Sequence, residues 1–553
     1  MKTMVRWMRA PLLGMTLTLA ASATAQAAVD PARLDRLFTA FAKDGPGLSV
    51  AVSQGGKTTY SRAFGAADIE HGDPATPQTR FHAASISKEF TALAIAMLAA
   101  EGKVDLDADI RRYLPYVPDF GATITVLDLL HHTSGLRDQW SLFTLSGNDG
   151  QGMRRQGVVL EMVRRQTALN FAPGTQFSYS NTGYTLLAEI VKATSGRTLR
   201  EFTTERIFQP LGMERTFFYD NARELVPGRA SSYAPGQGGA PELARLNFET
   251  VGATSLLTTA EDLAIWGREL MNPKILDPKI IARMKVPGRL KDDTPINYGL
   301  GLLIGEDAGH RSIGHGGSDA GFRSAFLTFP DDDTVVALVA SGQAPANDLA
   351  VGAADLALNS RTSVARPIVT PAPAVLTALA GDYVNDWRTG MRLELRDGAL
   401  VRHAFDAPEA KAVFRANDRF DFGAAGTSYR VIYGPNRQVA GLEETTRWGG
   451  HGLVHRRATI EAPSPTELAA LAGSYRSEEL DLTYELRVRD GRLAMNSLRH
   501  PDPVVFLPSA KDMFDSSFAR LKVRRDPSGR PVAILLDASG GRILNLALAR
   551  LED

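Results

Sequence analysis

The last third of this 553-residue chain is written twice. Leu379-Ala380-Gly381-Asp382-Tyr383 returns as Leu471-Ala472-Gly473-Ser474-Tyr475, Arg396-Asp397-Gly398 as Arg489-Asp490-Gly491, and Asp418 with Phe420-Asp421 as Asp512 with Phe514-Asp515. Matches kept in one order mark a repeated structural unit. Each copy consists of short strand patterns broken by turn signals such as Asp397-Gly398 and Asp490-Gly491, which predicts two small antiparallel β-barrel domains, residues 371–459 and 465–553. Pro-rich stretches, 365–373 and Ala462-Pro463-Ser464-Pro465, read as the linkers in front of them.

The earlier part has a different grammar. Leu48, Val50 and Val52 alternate up to Gly55-Gly56 and read as the first arm of a strand hairpin. A second hairpin pattern runs through Phe326, Thr328 and Phe329, turns at Asp331-Asp332-Asp333, and continues through Val335, Ala337 and Val339. Helical patterns lie between, at 85–101 with Gly102 as a stop, 183–195 with Gly196, and 259–270, and another follows near 349–358. Strands at both ends around a helical middle imply an α/β sandwich whose single antiparallel sheet is completed late in the chain, with a helical lobe inserted.

Residues 1–27 read as a signal peptide. Lys2, Arg6 and Arg9 precede an apolar run over 11–21, and Ala25-Gln26-Ala27 supplies a small-x-small cleavage site, so export to the periplasm or beyond is expected. The alternative, a membrane anchor, needs an apolar run of roughly 20 residues, and this one is shorter. No cysteine occurs, which excludes disulfides, cysteine nucleophiles and thiolate metal sites. Sixty-two basic residues balance 62 acidic ones without clustering, so neither nucleic acid nor an anionic membrane is an expected partner. A small-molecule or peptide substrate is, with no stable membrane insertion and with the oligomeric state left open.

Ser85-Ile86-Ser87-Lys88 is the chain's one Ser-x-x-Lys. Three residues apart on a helix, Ser85 and Lys88 share a face, so an amine can sit beside a hydroxyl. That is either a polar helix start or a nucleophile next to its base. Tyr179-Ser180-Asn181, after Pro173-Gly174, could aim a phenol and an amide into one site; Tyr219-Asp220-Asn221 and Tyr383-Val384-Asn385 match the same spacing and read as structural. Gly314-His315-Gly316-Gly317-Ser318-Asp319 has the glycines of an edge strand that lets a substrate approach its backbone. His131 and His132 complete no metal-ligand set and read as structural; no cofactor or metal is expected.

Taken in order, these segments resemble the penicillin-recognising serine hydrolases: class C β-lactamases, DD-peptidases, D-aminopeptidases and related esterases, whose motifs include Ser-x-x-Lys. Leu129-Leu130-His131-His132-Thr133-Ser134-Gly135-Leu136 and 258–263 look like further family segments, and the resemblance spans residues 29–360, within a hydrolase domain expected at 28–365. With two β repeats behind it, the chain is most similar to three-domain D-aminopeptidases. The resemblance implies a serine β-lactamase-like α/β (α+β) fold, Ser85 as nucleophile, and Lys88 with Tyr179 as general base sharing a proton; which of them holds it the sequence leaves open. It implies that Asn181 holds Lys88 and the substrate. The backbone N–H groups of Ser85 and Ser318 would form the oxyanion hole, on the strand of His315, Gly316 and Gly317.

Where relatives carry Lys-Thr-Gly, this chain has His315-Gly316-Gly317. A neutral histidine in place of a fixed cation predicts weak carboxylate capture, hence poor β-lactamase activity and substrates without that carboxylate, D-amino-acid amides or peptides with a free amino end first among them. The alternatives are an esterase of the same fold and a slowly acylating penicillin-binding or sensing protein. Loops 423–426, 434–441 and 499–503 are the repeat segments expected to reach the cleft and limit substrate size.

Overall fold

The structure, a computed structural model, describes residues 29–41, 45–147, 152–359, 368–387, 389–404, 407–422, 427–460 and 462–552. The expected signal peptide and its cleavage point, the hydrolase boundary at 365 and the loop 423–426 lie outside the described residues.

One six-stranded antiparallel sheet gathers both hairpins. Its strands are β1 (Leu48–Gln54), β2 (Lys57–Phe64), β3 (Leu303–Asp307), β4 (His310–Asp319), β5 (Phe322–Phe329) and β6 (Thr334–Ala340), in the order β3-β4-β5-β6-β1-β2. β1 pairs with β6, Ala51 opposite Ala337, so the end of the domain closes onto its beginning.

Every residue of β1 and β6 is buried, because helices cover both faces. The helices that matter here are α1 (Pro31–Phe38), α2 (Ser87–Ala100), α3 (Gln139–Leu145), α4 (Asn181–Ser195), α5 (Ala260–Met271) and α6 (Ala346–Leu358). Leu48, Val50, Val52, Val336 and Leu338 join Leu34 and Phe38 of α1 and Ala350 and Ala353 of α6 in one apolar cluster. Their neighbours Ala51, Val335, Ala337 and Val339 point the other way, into the cluster that holds Leu263 and Trp266 of α5 and most of α2. Residues 87–98 of α2 are all buried, so this helix runs through the core. Among the described residues no helix is long and apolar enough to cross a membrane.

β4 departs from the expected edge strand. β3 pairs with it from His310 to Gly314, leaving His315–Asp319 without a partner on that side. The open half therefore begins at His315.

The duplication is structural in detail. The first copy is a nine-stranded sheet whose two end strands, Ala407–Lys411 and Val413–Arg415, are separated by Ala412 alone, so it rolls almost shut; the second is a closed eight-stranded barrel. The linkers run directly into short helices that Pro373 and Pro465 begin, Pro373–Leu379 and Pro465–Leu471. Tyr383 Oη donates to Leu379 O at 2.8 Å and Tyr475 Oη to Leu471 O at 2.8 Å, tying each helix to the first strand behind it. Gly381 and Gly473 have φ of +150° and +145°. A Cβ on Gly381 would press on the guanidinium of Arg457 and one on Gly473 would lie in ordinary contact with that of Arg550, and each of these arginines bonds the carbonyls at the end of its helix. The repeated Leu-Ala-Gly-x-Tyr is thus a helix-to-strand joint.

Candidate active site

Ser85 sits in a tight turn, Ala84–Ile86, directly before α2. Ala84 holds φ +49°, a conformation an alanine adopts only when its surroundings impose it. They do: Ala84 N donates to Nδ1 of the buried His82 at 3.1 Å, Ser87 Oγ donates to Ala84 O at 2.6 Å, and Ser324 Oγ on β5 donates to Ala83 O at 2.7 Å. Burial keeps His82 neutral, with its pKa pushed down to about 3. Gly317 completes the seat. A Cβ there would collide with Ala83 O and Ser324 Oγ, so this glycine admits the nucleophile turn. Close approach of substrate, the reason expected from sequence, is not what its neighbours require.

Lys88 is fully buried one turn below. Its Nζ lies 3.1 Å from Ser85 Oγ, 2.9 Å from Asn181 Oδ1 and 2.7 Å from Ala253 O. Burial lowers its pKa from the usual lysine value to about 7, against the carboxylates of Asp319 and Asp138, which favour the charged form; the positive charge of Arg542 works with burial. The partner chemistry matters as much. Asn181 Oδ1 and Ala253 O accept only, so a neutral amine spends its two hydrogens on them and turns its lone pair toward Ser85.

Burial drives the Tyr179 phenol well above its ordinary pKa, and Ser85 close by pulls the other way. It is therefore protonated at neutral pH. Lys88 Nζ stands 4.8 Å from the centre of the Tyr179 ring, and its hydrogen bonds go to Ser85, Asn181 and Ala253 rather than to the phenol expected to share its proton. His132, buried at φ +60°, carries this tyrosine: its ring lies 4.2 Å from that of Tyr179, its carbonyl accepts from Ser178 N at 3.0 Å and its Nδ1 from Ser180 N at 3.1 Å.

His315 is an acceptor here. Its Nδ1 faces Gly316 O at 2.5 Å and so carries the hydrogen, which leaves Nε2 to accept from Tyr298 Oη at 3.0 Å and, more weakly, from Tyr179 Oη at 3.5 Å. Burial, with Lys88 nearby, holds its pKa down to about 3. No fixed cation stands at this place on β4. Gly316 lies beside Asn347 of α6, and Ser318 is exposed on the unpaired half of the strand.

Asn181 opens α4 and is oriented by Asp138, one oxygen of which accepts both its backbone N–H at 2.8 Å and its side-chain Nδ2 at 2.7 Å. With Nδ2 taken, Oδ1 must face Lys88.

A model of the family described as Beta-lactamase matches residues 34–359, more than half of the chain. The chain belongs to the beta-lactamase family. It is similar to a D-aminopeptidase of Brucella anthropi, 29% identical over 449 residues that cover 79% of this chain and 80% of the relative. Its fold matches the octameric penicillin-binding protein homologue from Pyrococcus abyssi, with a TM-score of 0.56 at 21% identity, covering 84% of this chain and 98% of that one. It is also similar to the D-amino acid amidase from Ochrobactrum anthropi SV3, at a TM-score of 0.50 and 25% identity, over 60% of this chain and 98% of the amidase. This beta-lactamase family member is a serine hydrolase.

Sequence reading of this family member missed four residues at the site. Asp138 and Tyr298 lie outside any motif and act through Asn181 and His315. Trp448 and Arg542 come from the repeats. Trp448, between the last two strands of the first copy, lies within 5.6–6.3 Å of the rings of Phe177, Tyr179, Tyr298 and His315, and its carbonyl accepts from Asn297 N at 2.8 Å. Arg542, in the last turn of the second barrel, has its guanidinium 5.3 Å from the centre of the Tyr179 ring. Among the described residues these repeat loops reach the site, and 434–441 and 499–503 do not. Arg499 instead packs on Gly147 and His500 bonds Thr144 O at 2.6 Å, at the C-terminal end of α3.

Proposed function

We propose that this protein is an exported hydrolase that cleaves D-amino-acid amides or short D-peptides through an acyl-enzyme on Ser85. The observation that carries the chemistry is the set of contacts around Lys88 Nζ: two acceptors fix its hydrogens and the third neighbour is the nucleophile. Lys88 removes the Ser85 proton as Oγ attacks the substrate carbonyl carbon, and the N–H groups of Ser85 and Ser318 hold the resulting oxyanion. The proton then passes to the leaving amine, by way of Lys88 or the Tyr179 hydroxyl, as the C–N bond breaks. A water attacks the ester that remains, Lys88 takes its proton, and Ser85 Oγ regains one as the acid departs.

The substrate class rests on the named relatives and on His315. A neutral acceptor on β4 offers no grip on a β-lactam carboxylate, while Asp138 and Asp319 lie close enough to Lys88 to favour positive charge, so an ammonium on the substrate is tolerated. Export rests on the basic, apolar and small-residue order of the first 27 residues. A panel of D- and L-aminoacyl p-nitroanilides, short acyl esters and a chromogenic cephalosporin tests the reading. Turnover of the D series that Ser85→Ala abolishes is expected, with slow cephalosporin hydrolysis. Turnover confined to the esters would make the protein an esterase, and a single stoichiometric acylation would make it a sensor.

A further inference from the structure

The second barrel does more than cover the cleft. Its turn before the last strand (Ile543–Arg550) carries Arg542 and is pinned to the catalytic domain on three sides. Ser178 Oγ, one residue from Tyr179, donates to Gly541 O at 3.1 Å. Arg542 O accepts from Asp138 N at 3.2 Å and from Asn170 Nδ2 at 2.9 Å. These bonds fix the backbone and leave the side chain to the cleft. Among the described residues the half-buried guanidinium has no hydrogen bond and no ion pair, and it lies over the face of Tyr179.

The nearby acids are already engaged. Asp138 is bonded to Asn181 and to the N–H groups of Trp140 and Ser141, and Asp319 accepts from Thr254 Oγ1. Arg542 is also close enough for its charge to oppose protonation of Lys88 and His132 and to favour ionised Tyr179. A second arginine, the exposed Arg447 beside Trp448, adds positive potential near His315. Two cations from the repeats thus border a site whose own strand β4 carries none at His315. A guanidinium with its donors free, partly removed from water and over the ring of Tyr179, is built to take a carboxylate by two parallel hydrogen bonds.

We propose that Arg542 binds a carboxylate of the substrate, so that this hydrolase prefers free short peptides or acidic acyl groups over their uncharged analogues. This deepens the hydrolase reading and rests on it for turnover, but not for binding. The carboxylate can stand on the leaving side or on the acyl side of the scissile bond, and two substrate pairs separate these. D-Alanyl-D-alanine against D-alanyl-D-alaninamide probes the leaving side, and succinyl against butyryl p-nitroanilide the acyl side. In at least one pair kcat/KM should favour the anion by about tenfold or more, the size of one charged hydrogen bond. Arg542→Gln should abolish that ratio, Arg542→Lys should keep part of it, and added salt should shrink it.

Calorimetry of the same four compounds on the full chain carrying Ser85→Ala reads the contact without turnover. Tighter binding of the anion, lost when Arg542→Gln is added, supports the assignment even if none of the four is hydrolysed, a result that would count against the hydrolase reading alone. Equal binding within both pairs, or an anion preference that survives Arg542→Gln, would overturn the assignment.

Discussion

One carboxylate oxygen of Asp138 accepts two hydrogens from Asn181, from its backbone at 2.8 Å and from its side-chain amide at 2.7 Å. This double acceptance sets which end of the amide meets Lys88. With Nδ2 toward Lys88 the lysine would lose an acceptor and its lone pair would no longer be aimed at Ser85.

Asp138→Asn should therefore damage catalysis although residue 138 touches no substrate atom. An asparagine there offers its own N–H groups to Asn181, so the amide orientation is no longer enforced, and kcat should fall about 10- to 100-fold with a smaller change in KM. Loss of the negative charge also lowers the Lys88 pKa, so the acid limb of the rate profile should move to lower pH. Asp138 caps α3 as well, but asparagine caps about equally well, so the stability loss on thermal melting should stay below about 1 kcal/mol. A change in stability alone, with kinetics and pH profile intact, would reduce Asp138 to a helix cap.

Gly317→Ala tests the seat of the nucleophile. The new methyl would collide with Ala83 O, two residues before Ser85, and with Ser324 Oγ, which holds that carbonyl. Displacing the turn by about 1 Å should slow fluorophosphonate labelling of Ser85 by about a hundredfold. Strain of about 1–3 kcal/mol should appear in chemical denaturation. Undiminished labelling would mean that the turn does not depend on this strand.

The second barrel is fastened by a buried ion pair. Arg137 is 1% exposed and Glu479 7%; Arg137 Nε donates to Glu479 Oε2 at 2.8 Å and its Nη1 to Asn170 Oδ1 at 2.9 Å. Removing the cation by Arg137→Met strands a buried carboxylate, which costs about 3–5 kcal/mol, whereas the double change with Glu479→Gln should recover part of that loss. Melting curves of the single and double variants check this. Because Asn170 also holds the Arg542 carbonyl, Arg137→Met should loosen the loop and broaden the range of substrate sizes accepted.

What the sequence makes legible here is local. Ser85 and Lys88 sit one helical turn apart, and Tyr179 and Asn181 flank one helix start, so their spacing alone carries the geometry. The repeats are legible because Gly381 and Gly473, with their tyrosines, perform one joint twice. Asp138, Tyr298, Trp448 and Arg542 were not legible, since each becomes part of the site only when distant segments dock. Arg542 is 457 positions from Ser85 in the numbering, and nothing in its own neighbourhood marks it. The glycines of β4 were legible as a close approach but not as to what approaches.

The measurement that bears most directly on Lys88 as the base is the rate of Ser85 acylation by an activated D-aminoacyl ester, followed across pH in the wild type, Tyr179→Phe and Asp319→Asn. Below its pKa Lys88 is an ammonium without a lone pair; above it the lone pair faces Ser85. In the wild type the rate should rise with pH through about 7 and then level off. Tyr179→Phe should slow it at every pH while keeping a rise near neutrality, because the phenol stays protonated there. In Asp319→Asn, which removes a charge that favours the ammonium, the rise should move to lower pH. A rate that is flat from about pH 5 to about pH 9, or a rise that moves to higher pH in Asp319→Asn, would contradict a neutral Lys88 as the group that activates Ser85.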